Sequence, residues 1–187
     1  MKKFSFFVCS VALIFASCGD SKVSTNRQES AVDVISEETG SKEVEDQSDW
    51  EYSESVDEMT DKTAYFATIE SDNSVDFEFP YDGGSTLSFT IRDSPQYGKD
   101  MYIRISKGQF NPGISGTKIK VRFDDNEAIS VNCVQPSDCS TDLLFLKGYD
   151  KLLKQIKDSK SMKINVEFFN EGTRTFTFNI QGLEWNH

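Results

Sequence analysis

From Thr63 onward, apolar residues recur at every second position, and only a β-strand keeps such a set on one face. Leu87, Phe89 and Ile91 alternate with Ser88 and Thr90; Met101, Ile103 and Ile105 follow the same rule. Ile119, Val121 and Phe123 alternate with Lys118, Lys120 and Arg122. Met162, Ile164, Val166 and Phe168, then Phe176, Phe178 and Ile180, complete the series. The pattern predicts antiparallel strands with one buried and one wet face.

The connections carry the matching turn chemistry. Gly172 in "NEGT" stands where a short hairpin needs a left-handed residue, and "FDDNEA" reads as the tip between "KIKVRF" and "AISVNCV". Gly83 and Gly84 supply a turn after a predicted strand, "VDFEF"; no helix with a lysine follows at P-loop spacing, so phosphate binding is not implied. One stretch has helical spacing instead: Tyr149, Leu152, Leu153 and Ile156 fall on one face, with Lys151, Lys154 and Lys157 opposite. The expected fold is mainly β, an antiparallel β-sandwich or barrel of about eight strands with one short amphipathic helix over residues 149–158.

The opening of the chain predicts its location. Lys2 and Lys3 precede an apolar run from Phe4 to Ser17, which is of signal-peptide length and too short to span a bilayer comfortably. The run closes on "FASC", which resembles a bacterial lipobox. That resemblance implies lipid transfer to the Cys18 thiol, cleavage before it and acylation of the new amino terminus. Each buried methylene of such a lipid contributes about 0.8 kcal/mol, so two or more chains give a durable membrane anchor. Gly19, rather than an aspartate, follows the cysteine, which favours the outer over the inner membrane of a bacterial cell envelope.

Charge then separates a tether from a domain. Gly19 to Lys62 holds 14 acidic and 4 basic residues, whereas Thr63 onward is nearly balanced at 17 and 14. Residues 19–48 contain no aromatic side chain and cannot bury enough surface to offset the entropy of ordering. The expected organisation is a signal peptide over 1–17, a lipidated, acidic, disordered tether over 18–48 and a β-rich globular domain over 49–187. Trp50 and Tyr52 are positioned to dock on that domain.

Few residues offer chemistry. Cys9 falls in the signal and Cys18 takes the lipid; Cys133 and Cys139 remain, and in an exported protein such a pair predicts a loop disulfide. Closing that short ring would contribute about 2 kcal/mol. The spacing is not CxxC, and zinc would need more Cys or His than the chain has, so neither redox chemistry nor a metal or other cofactor is expected. The only histidine, His187, is the last residue and is expected to fray, which removes the central group of Ser-His-Asp and Cys-His mechanisms. Asp124, Asp125, Asn126 and Glu127 lack the spacing and glycine of a calcium loop and read as a polar hairpin tip. Lys118, Lys120 and Arg122, with Arg104 and Arg92 on other strands, form a candidate binding face for an anionic partner. Net charge and compartment both argue against nucleic acid.

The layout "DWEYSESVDEMTDK", alternating strands, "LLKQIKDSKSMKINVEFF" and "GTRTFTFNIQGLEW" resembles small exported β-domain proteins, the VasI-like accessory proteins of type VI secretion and the invasion-associated locus B type. Trp50, Asp57, Met59, Thr60, Asp61, Lys62, Gly182 and Leu183 carry the likeness. It implies a non-enzymatic envelope domain that meets other proteins, and it supplies no active-site residues. The expected function is therefore a lipid-anchored, non-enzymatic β-domain binding a protein or envelope component. An inhibitor or immunity-type lipoprotein of an envelope hydrolase, and a carboxylate-dependent hydrolase, are the alternatives.

Overall fold

The alternating segments form most of nine strands in a computed structural model of the chain, which describes residues 48–111, 113 and 117–187. The assignments at Cys9 and Cys18, the signal peptide and nearly all of the tether lie outside the described residues. The described strands are β1 (Glu51–Asp57), β2 (Lys62–Glu70), β3 (Leu87–Ser94), β4 (Gly98–Ile105), β5 (Thr117–Phe123), β6 (Ile129–Val134), β7 (Leu143–Leu146), β8 (Ser161–Phe168) and β9 (Gly172–Asn179). One helix, α1 (Tyr149–Lys157), separates β7 from β8. All pairings are antiparallel, in a single unclosed sheet of order β1-β2-β3-β4-β7-β6-β5-β8-β9.

Register carries one apolar face around this sheet. Ile69, Phe89, Ile103 and Leu144 lie opposite one another across four strands, and Phe123, Met162 and Phe178 do so across three. All seven are buried and belong to one continuous core, so the sheet curls around its own inward side chains. Its two edges approach without pairing. Trp50, just before β1, is 5% exposed, lies edge-on to Phe89 at 6.3 Å and donates its indole N–H to Ile180 O at 3.1 Å, just beyond β9. Ser48 touches the same seam, and a Cβ on Gly182 would meet the Ser48 side chain at 2.8 Å, so glycine is required there. The docking expected of Trp50 is thus what joins the edges.

α1 takes the range that its spacing predicts and buries Leu152 and Ile156. Both ends of the helix tie to Trp185, with Lys157 Nζ donating to Trp185 O at 2.6 Å and Trp185 Nε1 to Tyr149 Oη at 2.9 Å. The tip at Asp124 is held by its own carboxylate, which accepts from the Ser161 and Lys160 backbone N–H groups at 2.8 and 3.0 Å. These bonds, Ser161 first, hold the Asp124 carboxyl below its usual range.

Three expectations need correction. "VDFEF" alternates like a strand, but only Val75 bridges, to Ser85, and the chain turns back where Tyr81 N–H donates to Glu78 O. Without a neighbouring ladder the alternation serves only to bury Phe77 and expose Phe79. Second, β1 and β7 are strands that the apolar pattern does not mark. β1 is exposed at all seven positions and owes its form to pairing with β2, while β7 is four residues, three of them buried, between β4 and β6. Third, His187 is stacked on the Tyr65 ring at 3.9 Å between centroids and lies edge-on to Trp185 at 5.0 Å. Aromatic contacts hold the last residue that its position alone marks for fraying.

Candidate binding surface

Strand parity decides the fate of the two remaining cysteines. Cys133 is inward-facing on β6, opposite Leu146 and Thr117, and only 3% exposed. Cys139 lies in an exposed turn with φ of 63°. Both are free thiols, so the expected disulfide is absent: one side chain is committed to the core and the other to a surface turn. Burial pushes the Cys133 thiol up to about 12, which leaves it protonated and unreactive. Alkylation of the native chain should therefore label Cys139 within minutes and spare Cys133 until the fold is opened. Peptide mapping before and after denaturant checks this, and a Cys133–Cys139 cross-linked peptide would contradict it.

The predicted basic face is partly assembled. Lys118, Lys120 and Arg122 share the outer face of β5, and Arg122 is opposite Lys163 of β8, a residue absent from the sequence-derived set. Arg122 leans toward Asp125 at 3.3 Å. Arg104 does not join them: β7 and β6 stand between β4 and β5, and its guanidinium pairs with Asp142 at 2.7 Å. Arg92 is also elsewhere, bonded through Nε to Asp100 Oδ1 at 2.9 Å and through its second terminal nitrogen to Oδ2. Periodicity reports which face a residue takes; strand order, which it does not report, decides which strands are neighbours.

Arg92 organises a different surface. Its guanidinium is 4.8 Å from the Tyr97 ring centroid, 5.6 Å from Phe145 and 5.7 Å from Tyr102. Tyr102 and Phe145 are directly opposite on β4 and β7 and meet edge-on at 5.7 Å. The Arg92 and Asp100 side chains are only 16% and 23% exposed, so the ion pair is partly desolvated, whereas Tyr97, on the β3–β4 turn, is 63% exposed. A guanidinium held over aromatic faces in this way gains cation–π attraction while its carboxylate partner fixes its plane.

Two open hollows flank this cluster, both walled by Arg92 and Tyr97. One, of about 520 Å³, lies toward the β1–β2 hairpin and is lined by Ser55, Asp57, Thr60, Phe66 and Gln96 among others. The other, of about 440 Å³, lies toward the helix and includes Val134, Phe145 and Tyr149. The Asp57 carboxyl is held below its usual range first by the Met59 backbone N–H, which it accepts at 2.8 Å, and then by the Thr60 side chain. The hollows thus offer aromatic faces, hydroxyls, an amide and committed charges.

Sequence reasoning missed this surface, although one signal was available. Tyr102 occupies an outward position of an otherwise regular strand, where a polar residue would be expected. The positions of Tyr97, Phe145 and Phe66 around Arg92 depend on turn geometry and strand order. Among the described residues, no group of three or more Asp, Glu, His or Cys is placed to hold a metal ion. None of their helices is long and apolar enough to cross a membrane. Compared with known proteins, the chain matches no protein-family model, no curated protein and no solved structure.

Proposed function

We propose that this chain is a non-enzymatic binding domain of the bacterial cell envelope, anchored through a lipid on Cys18, and that it holds a protein or envelope component against the Arg92–Tyr97 surface. The observation that carries this reading is an exposed tyrosine stacked on a partly buried, carboxylate-paired arginine between two hollows. Aromatic residues and arginine dominate binding energy where they are preorganised and partly dry, because little ordering entropy remains to be lost on contact. The lysines of the β5 row are exposed, and they suit long-range steering of an anionic partner better than tight contact.

Binding is favoured over a carboxylate-dependent hydrolase by the state of the acids at the surface. Asp100 is engaged by Arg92, and Asp57 is held ionised by backbone donors. A general acid needs a carboxyl raised toward neutrality, and the environment of Asp57 is the opposite. An inhibitor or immunity-type role is a special case of the same surface, with a hydrolase as partner.

Co-purification from detergent-solubilised envelope tests the reading, with the full chain compared with Tyr97→Ala and with Lys118→Glu/Lys120→Glu/Arg122→Glu. Tyr97→Ala should weaken capture by about tenfold or more, the range of a single aromatic contact, and the triple charge reversal should act mainly through its salt dependence. Equal capture by wild type and Tyr97→Ala would reject this surface as the binding site.

A further inference from the structure

The two edges of the unclosed sheet are treated differently. On β9, the outward backbone groups are occupied by the β2–β3 connection: Asp72 N–H donates to Thr177 O at 2.8 Å, Thr177 N–H donates to Asn73 Oδ1 at 2.8 Å, and Asn73 Nδ2 donates to Thr175 O at 3.1 Å. Two residues thereby imitate a neighbouring strand, a usual way to close an edge against pairing.

On β1 the C-terminal segment reaches only a side chain, with the Glu184 N–H donating to the Tyr52 hydroxyl at 2.7 Å, and among the described residues nothing occupies the outward backbone groups. Ser71 N–H bonds to Leu87 O, so alternate β2 residues, including Ile69 and Ala67, direct their backbone groups to β3. Thr68, Phe66 and Ala64 therefore direct theirs to Glu51, Ser53 and Ser55 of β1. The backbone N–H and C=O groups of Tyr52, Glu54 and Val56 consequently point away from the sheet. The strand is exposed along its whole length, and its only charged residues are Glu51, Glu54 and Asp57.

We propose that β1 is a docking edge for an extended, lysine- or arginine-bearing segment of a partner protein, which adds to the sheet as a further strand. Main-chain hydrogen bonds to Tyr52, Glu54 and Val56 would supply the geometry, and the acidic side chains, directed to both faces, would select cationic residues. Charge disfavours a second copy of this chain as the occupant in the register that pairs the whole strand. Antiparallel pairing centred on Glu54 places Glu54 opposite its own counterpart and Glu51 opposite Asp57, and like charges directly opposite are destabilising.

The test uses the full chain in non-ionic detergent and two labelled probes of equal charge, a short peptide alternating lysine and valine and a second of the same sequence with every backbone amide N-methylated. The lysine–valine peptide should bind and slow hydrogen exchange at the Tyr52, Glu54 and Val56 amides by about tenfold or more. The N-methylated peptide, which lacks backbone donors on both of its edges and cannot form a ladder, should bind at least about tenfold more weakly. Val56→Pro removes one outward donor without touching the β1–β2 ladder, and Glu54→Lys reverses the central charge with the backbone intact. Each should weaken the lysine–valine peptide by about tenfold. Equal binding of both peptides, protection away from β1, or no binding of the lysine–valine peptide overturns the proposal; if Val56→Pro fails to fold, an unchanged affinity in Glu54→Lys overturns it as well.

Discussion

Replacing Trp50 with alanine should lower the unfolding free energy of the domain by about 3–5 kcal/mol, the range for removing a large buried aromatic side chain. Two losses combine at this position. The indole is 5% exposed and packs edge-on against Phe89, so truncation leaves a cavity in the common core. Its N–H also supplies the hydrogen bond to Ile180 O that joins the flank of β1 to the end of β9. Trp50→Phe separates the two: it keeps much of the apolar volume and loses the donor, and should cost about 1–2 kcal/mol with Ile180 O left short of a partner. Urea unfolding of the three proteins, with the slope held constant, checks the values. A loss below about 1 kcal/mol for Trp50→Ala, less than the usual cost of such a truncation, would mean that the seam is held by other contacts.

Phe168→Ala should be comparably severe, again by about 3–5 kcal/mol, for a reason on the far side of the core. Phe168 is 1% exposed, and its ring is 4.8 Å from Phe77, 5.1 Å from Phe110 and 6.0 Å from Phe176. Those partners come from the β2–β3 excursion, the segment after β4, and β9. One side chain therefore ties two irregular segments to the sheet, and each aromatic pair adds about 0.5–1.5 kcal/mol beyond burial. Beyond the global loss, exchange should accelerate first at the Phe110 amide, whose backbone donates to Thr141 O. Phe168→Leu keeps the apolar contact and should recover more than half of the loss. A variant that loses stability without early opening at Phe110 would show that the two segments are anchored independently.

Trp50 and Phe168 differ in how far the sequence makes their burial legible. Phe168 sits on a regular alternation, and its burial follows from period two alone, as does that of Phe89, Ile103, Val121 and Ile164. The helix at 149–157 is equally legible, because its apolar set at Tyr149, Leu152, Leu153 and Ile156 cannot share one face in any strand. Trp50 stands in a polar, acidic stretch with no periodicity, so nothing local marks it as the closure of the sheet. β1 shares that blindness: "EYSESVD" becomes a strand because β2 offers it hydrogen bonds.

The candidate surface divides in the same way. That Lys118, Lys120 and Arg122 share an outer face is a property of one strand, and the sequence contains it in full. That Lys163 completes this row, that Arg104 is excluded from it, and that Arg92 is paired with Asp100 beneath Tyr97 all depend on strand order. Cys133 and Cys139 show the limit most directly. Their spacing and the expected compartment suggested a bond, but alternation turns Cys133 into the core while the turn after Pro136 leaves Cys139 outside. By itself, then, the sequence determined the regularly alternating strands and the helix, and which of their faces are apolar, because those properties follow from the local period of a single segment. Only the tertiary structure decided which strands are neighbours, where the sheet's edges lie and which side chains meet at Arg92, because those relations are set by long-range packing and hydrogen bonding that no local period encodes.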